Sequence, residues 1–148
     1  MERVTSLFET IDVLIKSCDI DYEALLGMKI DKLLFENYEY QRIVNSFLFN
    51  YMKIQDKIGA KLLRSILFEL KEIDDDSVPM KDVLNRLEKL HLIESAREWD
   101  TLREIRNAIA HEYPLDTQER TENITMALEG YGTLKRMYTR LKNGTLAA

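Results

Sequence analysis

The sequence predicts an all-α protein: an up-and-down bundle of about five helices forming a single domain over residues 1–148. Three observations carry this expectation. Apolar residues recur every three or four positions along most of the chain, which is the signature of amphipathic helices. The 148 residues include only five Gly and two Pro, too few breakers for the closely spaced short strands of a sandwich or barrel. The length is that of one domain, since a chain of this size buries roughly 68–70% of its unfolded surface in one core.

Val4, Leu7, Phe8, Ile11, Leu14, Ile15 and Cys18 follow the i, i+3, i+4, i+7 pattern of a first helix. The stretch from Asp19 to Ile30 reads as a break containing a short helical turn around Tyr22 to Leu26, ended by Gly27. From about Asp31 to Glu72 no proline intervenes, and Ile43, Phe47, Tyr51, Ile54, Ile58 and Leu62 keep one face apolar. This predicts a long central helix, with Gly59 as the point where it would kink. Within it Ile43, Val44, Phe47, Leu48 and Phe49 crowd apolar groups nearly all round the axis. Such a surplus predicts burial on two sides, either in the domain or at a subunit contact, and as more apolar surface than one small bundle readily covers it favours a homodimer.

The run Asp74-Asp75-Asp76-Ser77-Val78-Pro79 places acid and proline where a helix start favours both. Val83, Leu84, Leu87 and Leu90 carry that helix to about His91. Ser95 with Glu98 three residues on is a capping-box signature. The helix it opens turns Trp99, Leu102, Ile105 and Ile109 inward, and Pro114 stops it at or before Tyr113. Asp116 with Glu119 repeats the cap, and Ile124, Leu128, Tyr131, Leu134, Tyr138 and Leu141 carry the last helix towards Gly144.

The charge balance, 21 Lys+Arg against 26 Asp+Glu for a net of −5, argues against a surface that attracts nucleic acid everywhere. Any phosphate site must be local. Cys18, the single cysteine, excludes an intramolecular disulfide and a cysteine-based zinc site. The chain does not open on a secretory segment, and no apolar run approaches the ~18 residues of a membrane span. A cytoplasmic protein with no membrane association is expected.

The sharpest local feature is Arg106-Asn107-Ala108-Ile109-Ala110-His111-Glu112-Tyr113. At about 100° per residue, Asn107 and His111 share one face, and Arg106 and Tyr113 a second. Arg grips phosphate bidentately, and His exchanges protons near neutral pH. Together they suit metal-free phosphodiester cleavage: His111 as base or acid at a ribose 2′-hydroxyl or leaving oxygen, Arg106 stabilising phosphoryl charge. The residues alone leave open a structural role, with Arg106 paired to a buried carboxylate and His111 capping helix-terminal carbonyls.

This octapeptide, near the end of the penultimate helix of a small bundle, resembles the R-x4-H-x-Y motif of the HEPN superfamily. The nearest branch resembles the HepT-type proteins paired with minimal nucleotidyltransferases in toxin–antitoxin modules. The helix order is similar over most of the chain. The motif match is confined to Arg106 through Tyr113, with support from the Ser95 to Trp99 helix start and Tyr40-Gln41-Arg42. The resemblance implies a metal-independent endoribonuclease toxin, acting as a homodimer on an RNA substrate and needing no cofactor. Arg106 and His111 would be catalytic, and Asn107 would take the polar position after the arginine. Tyr113 would be the phenol to which the nucleotidyltransferase antitoxin attaches AMP. The acidic surface departs from a strong RNA binder and favours the alternative, a non-catalytic substrate-binding or adaptor subunit of a nucleotidyltransferase.

A basic row, Lys53, Lys57, Lys61 and Arg64, lies within about 80° of arc on the central helix. It is a candidate contact for an RNA backbone or an acidic partner, or simply a solvated face. Asp74 to Asp76 lacks the spacing of a calcium loop, and His91 and His111 alone do not specify a metal, so no metal site is expected.

Overall fold

The computed structural model describes residues 1–111 and 116–148. Helix α1 (Glu2–Leu26) is followed by a 3-10 turn (Lys32–Glu36), then α2 (Tyr38–Lys57), a π-helical turn (Ile58–Leu62) and α3 (Leu63–Glu69). After these come α4 (Met80–Lys89), α5 (Ala96–Ala110) and α6 (Thr117–Ala147). Because α2, the π turn and α3 run on without interruption, the described residues form five helical rods and no strand, the all-α bundle that the periodicity predicts. No helix among them is long and apolar enough to cross a membrane.

Pairs of contacts fix the directions of the rods. Asp21 accepts from the Ser46 hydroxyl and Glu69 meets the ammonium of Met1, so α1 runs antiparallel to α2 and α3. Tyr131 reaches Asp19 and Tyr138 reaches Asp12, which sets α6 antiparallel to α1. Arg106 reaches Asp56, and Trp99 lies against Gly59, so α5 is antiparallel to α2. These four rods alternate in direction around one core. Helix α4 does not: Arg64 holds the Val78 carbonyl and Arg86 pairs with Glu72, so residues 70–79 return along α3 and α4 runs parallel to it.

Two local expectations are corrected. The break after Asp19 does not form, and α1 continues to Leu26 with Gly27 at its C-cap. Aspartates weaken a helix by competing for its backbone donors, but tertiary partners occupy both carboxylates here. Asp19 accepts from Tyr131 and Lys135, each at 2.7 Å, and Asp21 accepts from Ser46 at 2.6 Å. The central helix begins at Tyr38, later than Asp31, because Asn37 caps it by accepting the Tyr40 N–H at 3.1 Å. The caps at Ser95 and Asp116 form as predicted, accepting from Arg97 and Glu119. At the first of these Glu88 of α4, rather than Glu98, supplies the carboxylate, taking the Ala96 N–H at 2.7 Å.

The core is built on buried aromatic rings: Phe47, Tyr51 and Tyr131 are fully enclosed, and Tyr22 packs against Tyr131 with ring centroids 5.0 Å apart and planes tilted by 57°. Two tyrosines carry a polar seam into it. The Tyr131 hydroxyl donates to Asp19 at 2.7 Å, with Lys135 on the same carboxylate. Two turns on, Tyr138 donates to Asp12 at 2.7 Å, with Lys142 beside it at 2.6 Å. Burial first, and then the hydrogen bond to aspartate, pushes both phenols above their ordinary range. The crowded stretch of α2 is mostly spent inside the protomer: Val44, Phe47 and Leu48 are buried, Ile43 is half-buried and only Phe49 is turned outward. The apolar surplus that suggested a dimer therefore reduces to Phe49.

Lys71 and His91 take left-handed backbone (φ 61° and 62°) after α3 and α4. Each is the bend of a Schellman cap, with Glu72 N–H bonded to Leu67 O and Leu92 N–H to Leu87 O. A side chain is disfavoured there, so His91→Gly is expected to stabilise the fold by about 1 kcal/mol. The check is a melting temperature raised by about 3 °C. Burial also pushes the Cys18 thiol up to about 12 from an ordinary 9.0. Between those values the unfolded chain releases a proton that the folded chain keeps, so stability falls as pH rises through that window. Denaturant titrations from pH 8 to 11 are expected to show this loss, with a smaller slope in Cys18→Ala.

Candidate functional site

Helix α5 meets α2 at the π turn. A Cβ placed on Gly59 would lie 2.9 Å from Cζ2 of Trp99, so the indole sits on bare backbone. Trp99 is buried. From this contact α5 runs back along α2 until Arg106 faces Asp56, one turn before Gly59. The pair is bidentate: Nε donates to Oδ1 at 3.0 Å and Nη2 to Oδ2 at 2.9 Å. The hydrogen bonds to Asp56 hold the guanidinium above its ordinary pKa. With side chains 28% and 53% exposed, the pair contributes little to stability. Its effect is geometric, because a fork-to-fork contact fixes the plane of the guanidinium.

Between the two helices lies an open cleft of about 470 Å³. Gln55 and Asp56 of α2 with Gly59 and Ala60 of the π turn line one side, Trp99, Arg103, Arg106 and Asn107 of α5 the other, and Met80 of α4 also lines it. Gln55 is 3% exposed, and its Oε1 makes no hydrogen bond.

The sequence-predicted residues divide. Arg106 and Asn107 line the cleft together. His111 is the exposed C-cap of α5, its N–H bonded to the Asn107 carbonyl at 3.1 Å. It lies about 140° around the helix from Arg106, so the two do not share one wall. Tyr113 lies outside the described residues. The carboxylate partner that a structural role for Arg106 required is present as Asp56, half-exposed rather than buried. At His111 it is the backbone, not the imidazole, that makes the capping bond.

Of the basic row, Lys53, Lys57 and Lys61 remain on the outer face of α2, and none of the three forms an ion pair among the described residues. Lys53 lies over the Phe49 ring, 5.2 Å from its centroid. Arg64 is drawn away: Nε and Nη2 both donate to the Val78 carbonyl, at 3.2 and 3.1 Å, so it ties down the segment leading to α4.

Two site residues, Asp56 and Gln55, are not identified by sequence reasoning, although each leaves a signal. Asp56 is the sole acid between Lys53 and Arg64, and Gln55 stands among Tyr51, Ile58 and Leu62 on a stripe that is otherwise apolar. No family model, curated protein or solved structure matches the chain.

Because the cleft depends on α5 lying on bare backbone, Gly59→Val is expected to push the indole out. Overpacking of this kind costs about 1–3 kcal/mol. The change should be read as a lower melting temperature together with a red shift in the emission of Trp99, the only tryptophan.

Proposed function

We propose that the chain is a HEPN-type, metal-independent endoribonuclease toxin, neutralised by a minimal nucleotidyltransferase partner. The observation that supports this best is the placing of Arg106. Asp56 engages two of its donors on one side, leaving the remaining N–H groups free to meet a phosphoryl oxygen at the mouth of the cleft. The unpaired Lys53, Lys57 and Lys61 provide a local basic track on the neighbouring stripe of α2, which suits an RNA backbone despite the net charge of −5. His111, exposed at the end of α5, is accessible to solvent and substrate. It would take the proton of a ribose 2′-hydroxyl as that oxygen attacks phosphorus, or supply a proton to the leaving 5′-oxygen.

Arg106 and His111 diverge within one protomer, so a homodimer closing on this end of α5 would bring the histidine of one chain towards the arginine of the other. Tyr113, beyond the described residues, would be the site of AMP attachment by the nucleotidyltransferase. The acidic surface favours a second reading, an adaptor that holds the nucleotidyltransferase or presents its substrate without turnover.

The test is incubation of purified protein with total RNA and transfer RNA in the presence of a chelator. Arg106→Ala and His111→Ala are each expected to lose cleavage by at least about 100-fold, with stability changed by no more than about 1 kcal/mol because the Arg106–Asp56 pair is partly exposed and His111 is exposed. If the wild-type protein leaves RNA intact and its expression does not slow growth, the adaptor reading stands.

A further inference from the structure

We propose that a second groove, between α5 and α6 on the other flank of α5 from Arg106, docks a basic amphipathic helix of a protein partner. This surface is independent of the RNA reading. Helix α5 gives the groove Glu98, Leu102 and Ile105, and α6 gives it Met126, Gly130 and Thr133. Each set is spaced i, i+4, i+7, so each helix turns one stripe towards the seam. Gly130 lets the two helices close: a Cβ there would stand 2.9 Å from Cδ1 of Ile105. Above this bare backbone the seam opens into a groove of about 370 Å³. Leu102 and Ile105 are buried in its floor, while Met126 is 42% exposed and offers an apolar contact to a partner.

The charge around this apolar strip is of one sign. The charged residues lining it are three glutamates, Glu98, Glu104 and Glu129, and none of them forms an ion pair among the described residues. Elsewhere the carboxylates between helices are matched: Asp12 by Lys142, Asp19 by Lys135 and Asp56 by Arg106. Arg136 stands at one end, donating to the Thr133 hydroxyl at 3.2 Å. An apolar strip edged by unpaired acids is the complement of a helix whose apolar stripe is edged by Lys or Arg. The apolar contact anchors such a helix, and the charges choose it over acidic competitors. A second copy, presenting Phe49 and the lysines of its own α2, is the competing occupant. That contact is heterologous and leaves a groove open at the end of every row, so a foreign helix is the occupant that closes it.

The probe is a fluorescein-labelled peptide of about four turns with leucine at i, i+3, i+4 and i+7 and lysine elsewhere. Its anisotropy is expected to rise saturably with the protein, and a peptide of the same composition with the leucines scattered should bind at least about tenfold more weakly. Replacing the rim together, Glu98→Gln with Glu104→Gln and Glu129→Gln, should weaken binding about tenfold. Glu9→Gln with Glu23→Gln, on the exposed face of α1, should leave it within about twofold. Met126→Asp makes the protein more acidic yet removes the anchor, so it should weaken binding at least about fivefold. All of these side chains are at least partly exposed, so melting temperatures should hold. The proposal is overturned if the two peptides bind alike, if the α1 variant loses as much as the rim variant, or if Met126→Asp binds as well as the wild type. It is also overturned if light scattering shows an oligomer of the wild type that the rim variant dissolves, because the groove then belongs to a second copy.

Discussion

The contact between Trp99 and the bare backbone of Gly59 is the constraint on which the site depends. An indole is large and flat, and it can lie on a helix only where no side chain intervenes; at Gly59 a Cβ would stand 2.9 Å from the ring. The same residue sits in the π turn that joins α2 to α3. Such turns insert one residue into a helix, shift its register and occur often at functional sites. With α5 anchored there, antiparallel geometry brings Arg106, two turns after Trp99 on α5, opposite Asp56, one turn before Gly59, and the space left between the helices is the cleft.

Charge in this protein is used mainly to join helices. Asp12 and Asp19 are seven residues apart on α1, and each receives a tyrosine hydroxyl and a lysine from α6, from Tyr138 with Lys142 and from Tyr131 with Lys135. The repeat of seven keeps one seam aligned over two turns of both helices. It lets large phenols enter the core while their hydroxyls stay bonded, a condition that buried polar groups must meet. Arg64 and Arg86 likewise bind the return segment and α4 to α3 and its end. What remains without an ion pair among the described residues, at Lys53 and Lys57 of α2 and Lys61 of the π turn, is a small basic track beside an otherwise acidic body.

Most of the helix plan was legible because periodicity and capping are local. The starts at Ser95 and Asp116 lie where a short polar side chain meets the first free N–H groups. The reading failed at Asp19 to Asp21, where propensity predicted a break and tertiary hydrogen bonds sustained a helix. The apolar crowding at Val44, Phe47 and Leu48 is buried within the protomer, one of the two outcomes that spacing along the helix left open. Arg64 belonged by spacing to the basic row, but a backbone carbonyl fourteen residues away claimed it. A pattern along one helix cannot register a partner supplied by another.

The sequence by itself determined the fold class, the number and order of the rods, the inward faces and the grouping of Arg106, Asn107 and His111 at the end of one helix. Each of these follows from spacing along a chain whose helical geometry is known in advance. Only the tertiary structure decided what Arg106 faces, that Gln55 is buried without a donor, and that Arg106 and His111 diverge within a protomer. Those facts depend on which helices touch and at what height. That in turn is set by where a missing side chain at Gly59 lets α5 come close to α2.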